Sequence, residues 1–449
     1  MLPGLVAGLA LLVLVYALSL SASFQFDDWQ VVLGDPRVQS LQAWWHSMPS
    51  MRALTKLSYA LNHEWSARAE AFRAVNVGLH ALNAILVLVF ARTMARRLGN
   101  PRDDDRATAV ALLTALVFAL HPVQTESVTY VAARPNLIAT LFSLAALLAW
   151  LKGRERHAAG WWSLATLCFV AALAGKETAA VLPLAMLLCL AAEQCLSVRE
   201  AAFPLALCGL FGLLLAAVWT HFPYDYLVRT SLATRGPVEN LLAQVTGVFW
   251  LAGQLVRWDR LNADPMLQLP EAMAPLVLQG AVLTLACVGG LVALRRRPAG
   301  GFGILWFFLW LAPTNSLLAR LDLANDRQLY LALLGPAWLL AHAIARWRRA
   351  VLPFGLLLGL LLATATVQRN RVYATEVTFW RDVVTKSPHN GRAWNNLGLA
   401  EAMRCRPDDA ARAFEQAMRV APDDFRPEVN LALLQQGELP GVEGHCAKR

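Results

Sequence analysis

The chain has 449 residues, 57% of them apolar and only 16% charged, with a mean hydropathy of +0.44. That balance excludes an ordinary soluble domain, and several apolar runs reach the roughly 20 residues needed to span a bilayer core. The formal net charge is +9. The basic residues form short clusters between apolar runs, so they read as topology signals and no nucleic-acid partner is expected.

Taken in chain order, residues 2–21 carry no charge and lack the basic start of a cleavable signal, which predicts a retained membrane anchor. Directly behind it comes Phe26-Asp27-Asp28-Trp29. Ionised carboxylates are costly in hydrocarbon, so the pair must lie at or beyond the membrane surface. By itself the pair fits a topology marker, an ion site or a catalytic base. Further apolar segments fall near 74–91, 107–120, 135–151, 160–174, 179–195, 202–220, 274–294, 302–318, 328–345 and 351–367.

Basic clusters follow every even-numbered segment. They are Arg92, Arg96, Arg97, Arg102 and Arg106; Lys152, Arg154 and Arg156; Arg199; Arg295 to Arg297; and Arg346, Arg348 and Arg349. This predicts about eleven crossings, with the N-terminus cytoplasmic and everything after residue 368 outside. Counting 240–256 as a crossing would reverse the last two clusters. Residues 221–273 are therefore expected to be an external excursion whose apolar part lies in the interface or re-enters.

The external loops then hold most of the unusual polar residues. Loop 22–73 carries Asp27, Asp28, Asp35, Arg37, Arg52, Lys56 and Asn62. The others carry His121-Pro122-Val123-Gln124-Thr125-Glu126-Ser127, Arg134-Pro135-Asn136, Gly175-Lys176-Glu177-Thr178 and Asn325-Asp326-Arg327-Gln328. Acids and bases gathered on one membrane face suggest a site for an anionic ligand near the headgroups, and Arg and Lys suit phosphate. Paired carboxylates also bind hard cations, but two acids do not make a full site, and no metal is expected. Five of the seven cysteines lie in apolar segments, and Cys405 and Cys446 are candidates for a disulfide in an oxidising compartment.

From about residue 369 the composition turns polar and amphipathic. Trp394, Leu397, Gly398, Ala410, Phe414, Ala417 and Pro422 match the tetratricopeptide pattern, with Glu401 where an aromatic is expected. Trp380 and Pro388 repeat Phe414 and Pro422 upstream, and Leu431 repeats Leu397 downstream. One full repeat flanked by two halves is expected over 369–449. It serves as packing alone or as a surface for an acceptor or partner.

The order of motifs resembles a known family. FDDW is followed by Arg52-x-Leu-Thr-x-Leu-Ser-Tyr59, Asn76-Val-x-Leu-His80-Ala-x-Asn83 and HPVQTESV (121–128). Then come Arg134-Pro-Asn, Gly-Lys176-Glu177-Thr, Leu261-Asn262-x-Asp264 and Asp326-Arg-Gln-Leu-Tyr-Leu331, ahead of the repeats. This order is similar to that of the transmembrane and tetratricopeptide-repeat protein O-mannosyltransferases and their bacterial relatives, within the broader GT-C glycosyltransferases. The resemblance implies an all-α GT-C-like membrane domain over 1–368 and a polyprenyl-phosphate-linked sugar as donor, with no cofactor. It also implies an acceptor hydroxyl on a protein or a glycolipid at the periplasmic face of a bacterial inner membrane.

In those terms Asp27 or Asp28 is the base, Arg327, Lys176, Arg134, Arg52 and His121 bind the donor phosphate, and Glu126 and Glu177 hold the cations. The competing reading is a non-enzymatic membrane scaffold that recruits a partner through its repeats. Individual residues also have plain alternatives. His121 caps a helix, His80 is a hydrogen-bonded core residue, Asp103 to Asp105 are a solvated run, Lys176-Glu177 is a local ion pair, and Arg369 and Arg371 anchor a membrane exit.

Overall fold

A computed structural model describes residues 2–100, 102–222, 224–270, 272–315, 319–320 and 322–440. Among the described residues the regular structure is entirely helical. The first stretch holds α1 (Leu2–Ala17), α2 (Leu41–His46), α3 (Ala53–Trp65), α4 (Ala69–Leu98), α5 (Asp104–Leu120), α6 (Thr125–Thr129) and α7 (Arg134–Arg156). It continues through α8 (Ala159–Gly175), α9 (Leu182–Ala192), α10 (Val198–Val218), α11 (Tyr224–Thr234) and α12 (Pro237–Gln254). Then come α13 (Met273–Arg296), α14 (Pro298–Leu311), α15 (Leu329–Ala332), α16 (Leu334–Ile344) and α17 (Val351–Val372). The tail contributes α18 (Glu376–Lys386), α19 (Gly391–Ala402), α20 (Pro407–Val420) and α21 (Arg426–Gln436).

Among the described residues, five helices are long and apolar enough to cross a bilayer, and six if the bent α5–α6 pair counts as one span. Five shorter apolar helices accompany them, so the chain is a multi-pass membrane protein. α12 is not in either group. α7 is the bundle centre, with 72% of its apolar window buried, whereas α13, at 6%, is apolar all round and turned outward. Where α14 and α16 cross, Gly303 and Gly335 meet backbone to backbone and leave no room for a Cβ. Small residues that let backbones approach are the usual means of packing helices in lipid.

Local caps set the helix starts. Asp103 accepts from Arg106 N (3.2 Å) at the head of α5, Thr375 forms a capping box with Thr378 on α18, and Asn390 accepts from Ala393 N on α19. The 103–105 run is therefore more than a solvated patch. Asp104 pairs with Arg92 (2.8 Å) and Arg96, and Asp103 with Arg348 (2.7 Å). His80 is the core residue expected, hydrogen-bonded to Tyr330 Oη and Ala119 O.

The tail helices pack as antiparallel neighbours. Phe414 of α20 lies flat against Gly398 of α19, where any side chain would collide. The tail is not a separate body. Asn262 donates to Ser387 (2.9 Å), Lys386 to the Leu261 carbonyl (2.7 Å) and Asn390 to the Asp264 carbonyl (3.0 Å), while Arg392 bridges Asp264 and Asp322. Arg369, expected to be an exit anchor, is buried and spans from Asp326 (3.9 Å) to Asp382 (2.8 Å). The partner proposed for Cys405, Cys446, lies outside the described residues.

Candidate active site

The two acids behind the first helix face different ways. Their turn is tight: Asp28 N–H bonds Gln25 O (2.9 Å), and Phe26 adopts a left-handed φ of 47°. Such a conformation persists in a non-glycine residue only where the surroundings hold it. Here the Phe26 ring is edge-on to Trp380 (5.0 Å), the Arg392 guanidinium lies over it, and its N–H donates to Glu376 (3.3 Å). Asp28 then points inward and is fully buried. One of its oxygens accepts from Ala132 N (2.7 Å) and the other from Gln25 N (3.1 Å). Burial pushes its carboxyl up to about 7, against the pull of the two N–H donors and nearby Arg73.

Asp27 points outward. Its backbone N–H donates to Tyr130 Oη (3.0 Å), and its side chain lines a cleft of about 900 Å³. Asp28 does not reach that cleft. The two carboxylates therefore face different surroundings, and the described residues hold no group of three metal-ligating side chains.

Six basic side chains line the same cleft: Arg37, Arg52, Lys56, Lys176, Arg320 and Arg327. Each expected cation is held by a partner from another element. Arg52 grips Glu177 through Nε and Nη2 at 3.1–3.2 Å, so Glu177 serves Arg52 and not the adjacent Lys176. Lys176 Nζ bonds Asn136 Oδ1 (2.5 Å), and burial beside Arg52, Arg320 and Arg327 holds its amine well below the ordinary lysine range. Arg327 donates its backbone N–H to Glu126 (2.9 Å), has its Nε 3.6 Å from the same carboxylate, and lies over the Tyr130 ring (5.9 Å). Tyr130 thus touches both the Asp27 backbone and the Arg327 guanidinium.

Two residues expected to bind phosphate lie elsewhere. Arg134 is fully buried beneath the cleft, and its guanidinium is spent on Asn76 (2.7 Å), Ser58 O, Asn62 and Phe72 O, stacked on Tyr59. With all these donors occupied it ties the first loop to α4 and α7 and has none left for a ligand. His121 accepts from Val123 N through Nδ1, so its Nε2 carries the proton and donates to Leu255 O (3.0 Å). It is the cap that its alternative reading supposed.

Nothing in the sequence pattern singles out Arg320, and the pattern marks Lys56 only as one polar residue of the 22–73 loop. The available signal is their placement in the same stretches between apolar runs as Arg327 and Asp27.

Asp27 also lines a second cavity of about 400 Å³ between the acidic turn and the tail, walled by Trp29, Glu376, Trp380, Asn396, Leu399 and Met403. The two cavities meet at Asp27 and Gln30.

The protein O-mannosyl-transferase TMTC3 of Mus musculus is 24% identical over 92% of this chain and 48% of its own length, and that of Homo sapiens matches to the same extent. The protein O-mannosyl-transferase TMTC4 of Homo sapiens is 30% identical over 33% of this chain and 23% of its own. The chain spans about half the length of these TMTC3 relatives. No family model matches it, and no solved structure does. The order of motifs and the similarity along 92% of the chain agree: the chain is a homologue of the transmembrane and tetratricopeptide-repeat protein O-mannosyltransferases.

Proposed function

We propose that the chain is an inverting glycosyltransferase of GT-C type, moving a sugar from a polyprenyl-phosphate donor to a protein Ser or Thr hydroxyl. The observation that carries this reading is the position of Asp27, between a cleft lined by six basic side chains and a second cavity under the tail. The phosphate of the donor sits against Arg327, Lys176, Arg320 and Arg52. The acceptor enters from the tail side. Asp27 accepts the proton of its hydroxyl as that oxygen attacks the anomeric carbon, and the bond from that carbon to the phosphate oxygen breaks. Charge gathers on the departing lipid phosphate, where fixed cations stabilise it without reorganising. Glu126 and Glu177 hold two of those cations in place, and Asp28 holds the turn.

The architecture that goes with this reading is a membrane domain over 1–368 with about eleven crossings, counting the short apolar helices. Residues 221–273 stay external. The tail over 369–449 is a tetratricopeptide module on the same outer face, with the N-terminus cytoplasmic, in the inner membrane of a bacterium. A reporter fused at Leu261 tests the topology: cytoplasmic placement would overturn it.

The activity test is mass spectrometry of extracytoplasmic proteins and glycolipids from a strain lacking the gene, complemented by wild type or by Asp27→Asn. Glycopeptides restored by wild type alone support the reading. Restoration confined to a glycolipid moves the acceptor class, and full restoration by Asp27→Asn removes Asp27 as base.

A further inference from the structure

A cavity of about 420 Å³ lies away from the acidic turn, between the end of α12 and the α18–α19 joint. One wall comes from the membrane side, with Trp250, Arg257, Arg260 and Asn262, and the other from the tail, with Lys386 and His389. Among the described residues no carboxylate lines it. Lys386 is neutralised by Asp382 (2.7 Å), whereas Arg257 and Arg260 are exposed at the rim, Arg260 with only the loose, exposed Asp259 at 3.8 Å. The stretch 265–268 on its floor comes shortly before Met273, where the membrane-length helix α13 begins.

Beside the cationic rim, Phe249, Val256, Met266 and Leu269 are exposed large apolar side chains. Cations above an apolar fringe, next to the tryptophans Trp250 and Trp258, form the pattern of an interfacial lipid contact.

We infer that this cavity binds the headgroup of an anionic phospholipid of the surrounding bilayer and that the bound lipid clamps the tail onto the membrane domain. The phosphate sits between Arg257 and Arg260 on one wall and His389 on the other, and the acyl chains run along Val256 and Phe249. Charge complementarity selects the lipid, since a basic residue near an anionic membrane surface gains from each phosphate it meets. The lipid joins two walls that are otherwise tied by the Asn262–Ser387 and Lys386–Leu261 hydrogen bonds, so its occupancy adds to the docking of the tail. The inference is independent of the transferase reading, because none of these residues lines the Asp27 cleft.

The test is hydrogen exchange over 376–403 in the full chain, reconstituted in nanodiscs of phosphatidylcholine alone or with a third phosphatidylglycerol. In wild type the anionic lipid should slow exchange there by about tenfold or more, as expected for two arginine–phosphate contacts. The double variant Arg257→Gln/Arg260→Gln should match wild type in phosphatidylcholine and lose the response to phosphatidylglycerol. Arg257→Lys/Arg260→Lys should keep most of it, which separates lost charge from lost folding. Equal exchange of wild type in both lipids overturns the inference, as does an undiminished response in the glutamine variant. Inorganic phosphate reproducing the protection in phosphatidylcholine would show a soluble anion site and overturn the lipid assignment.

Discussion

Trp29 and Glu376 lie 347 residues apart and are joined by a 2.9 Å hydrogen bond from the indole Nε1 to the carboxylate. The same carboxylate oxygen accepts the Phe26 N–H, so the tail grips the acidic turn on both sides of Asp27. Trp29→Phe keeps the ring but removes the donor, a loss of about 1–2 kcal/mol for a charge-assisted bond. The expected kinetic result is a raised KM for the acceptor with donor affinity unchanged, because Trp29 lines the tail cavity and not the cationic cleft. Initial rates with each substrate varied in turn check it. A selective loss of donor affinity would contradict the two-cavity arrangement.

Asp27 and Asp28 should separate cleanly. Asp27→Asn should abolish transfer and leave the thermal unfolding of the detergent-solubilised protein unchanged. Asp28→Asn should destabilise by about 1–3 kcal/mol, since an amide cannot accept from both Ala132 N and Gln25 N. The pH dependence has a definite sign. The Asp28 carboxyl is raised to about 7 in the fold from an ordinary 3.8, so the native state binds the extra proton between those values. Its contribution is complete below pH 4 and is lost as pH rises through 7. Wild type should gain stability relative to Asp28→Asn on going from pH 7.5 to pH 5. A difference that stays flat would show that the group does not titrate in that window.

How much of this was legible beforehand differs from residue to residue, for physical reasons. The helical segments were legible because an apolar run of membrane length has few alternatives. Glu126 behind Arg327 is an expected pairing of an acid and a base from two polar loops, although the sequence offered no way to tell Arg52 from Lys176 as the partner of Glu177. Arg134 and His121 misled for a common reason. Both are strong polar groups at the ends of helices, but α3, α4 and the end of α12 close over them and consume their hydrogen-bonding capacity. Burial of that kind depends on tertiary packing, which residue spacing does not encode. Which of Asp27 and Asp28 faces the cleft was closed to the sequence as well, because it turns on the left-handed Phe26 and on what grips it.

Lys176 supplies a prediction on donor binding. Burial and the surrounding arginines hold its amine low, so part of the population is neutral at alkaline pH in the free protein. A bound phosphate favours the charged form, so binding takes up a proton and affinity falls as pH rises through the free amine's depressed pKa. Lys176→Arg should remove that alkaline limb while retaining binding. Titration of a polyprenyl-phosphate analogue against pH checks it, and identical pH profiles for the two proteins would contradict a titrating Lys176 at the phosphate.

The tail offers the last test. Gly398 lets α19 lie against the ring of Phe414, and a Cβ there would fall within 2.5–2.9 Å of three of its ring carbons. The ring is fully buried among Ala402, Ala410 and Leu439 and has no free direction in which to retreat. Gly398→Ala should therefore destabilise the tail by about 1–3 kcal/mol through overpacking, more than the helix propensity gained from alanine. The double variant Gly398→Ala/Phe414→Leu, with a smaller and more mobile side chain, should recover part of that loss. Because α18 holds Phe26 and Trp29, the damage should reach the turn, with transfer falling while donor binding persists. Proteolytic susceptibility of 391–420 together with donor titration reads both effects. If Gly398→Ala opened the tail without affecting transfer, the acidic turn would be shown to keep its shape without α18.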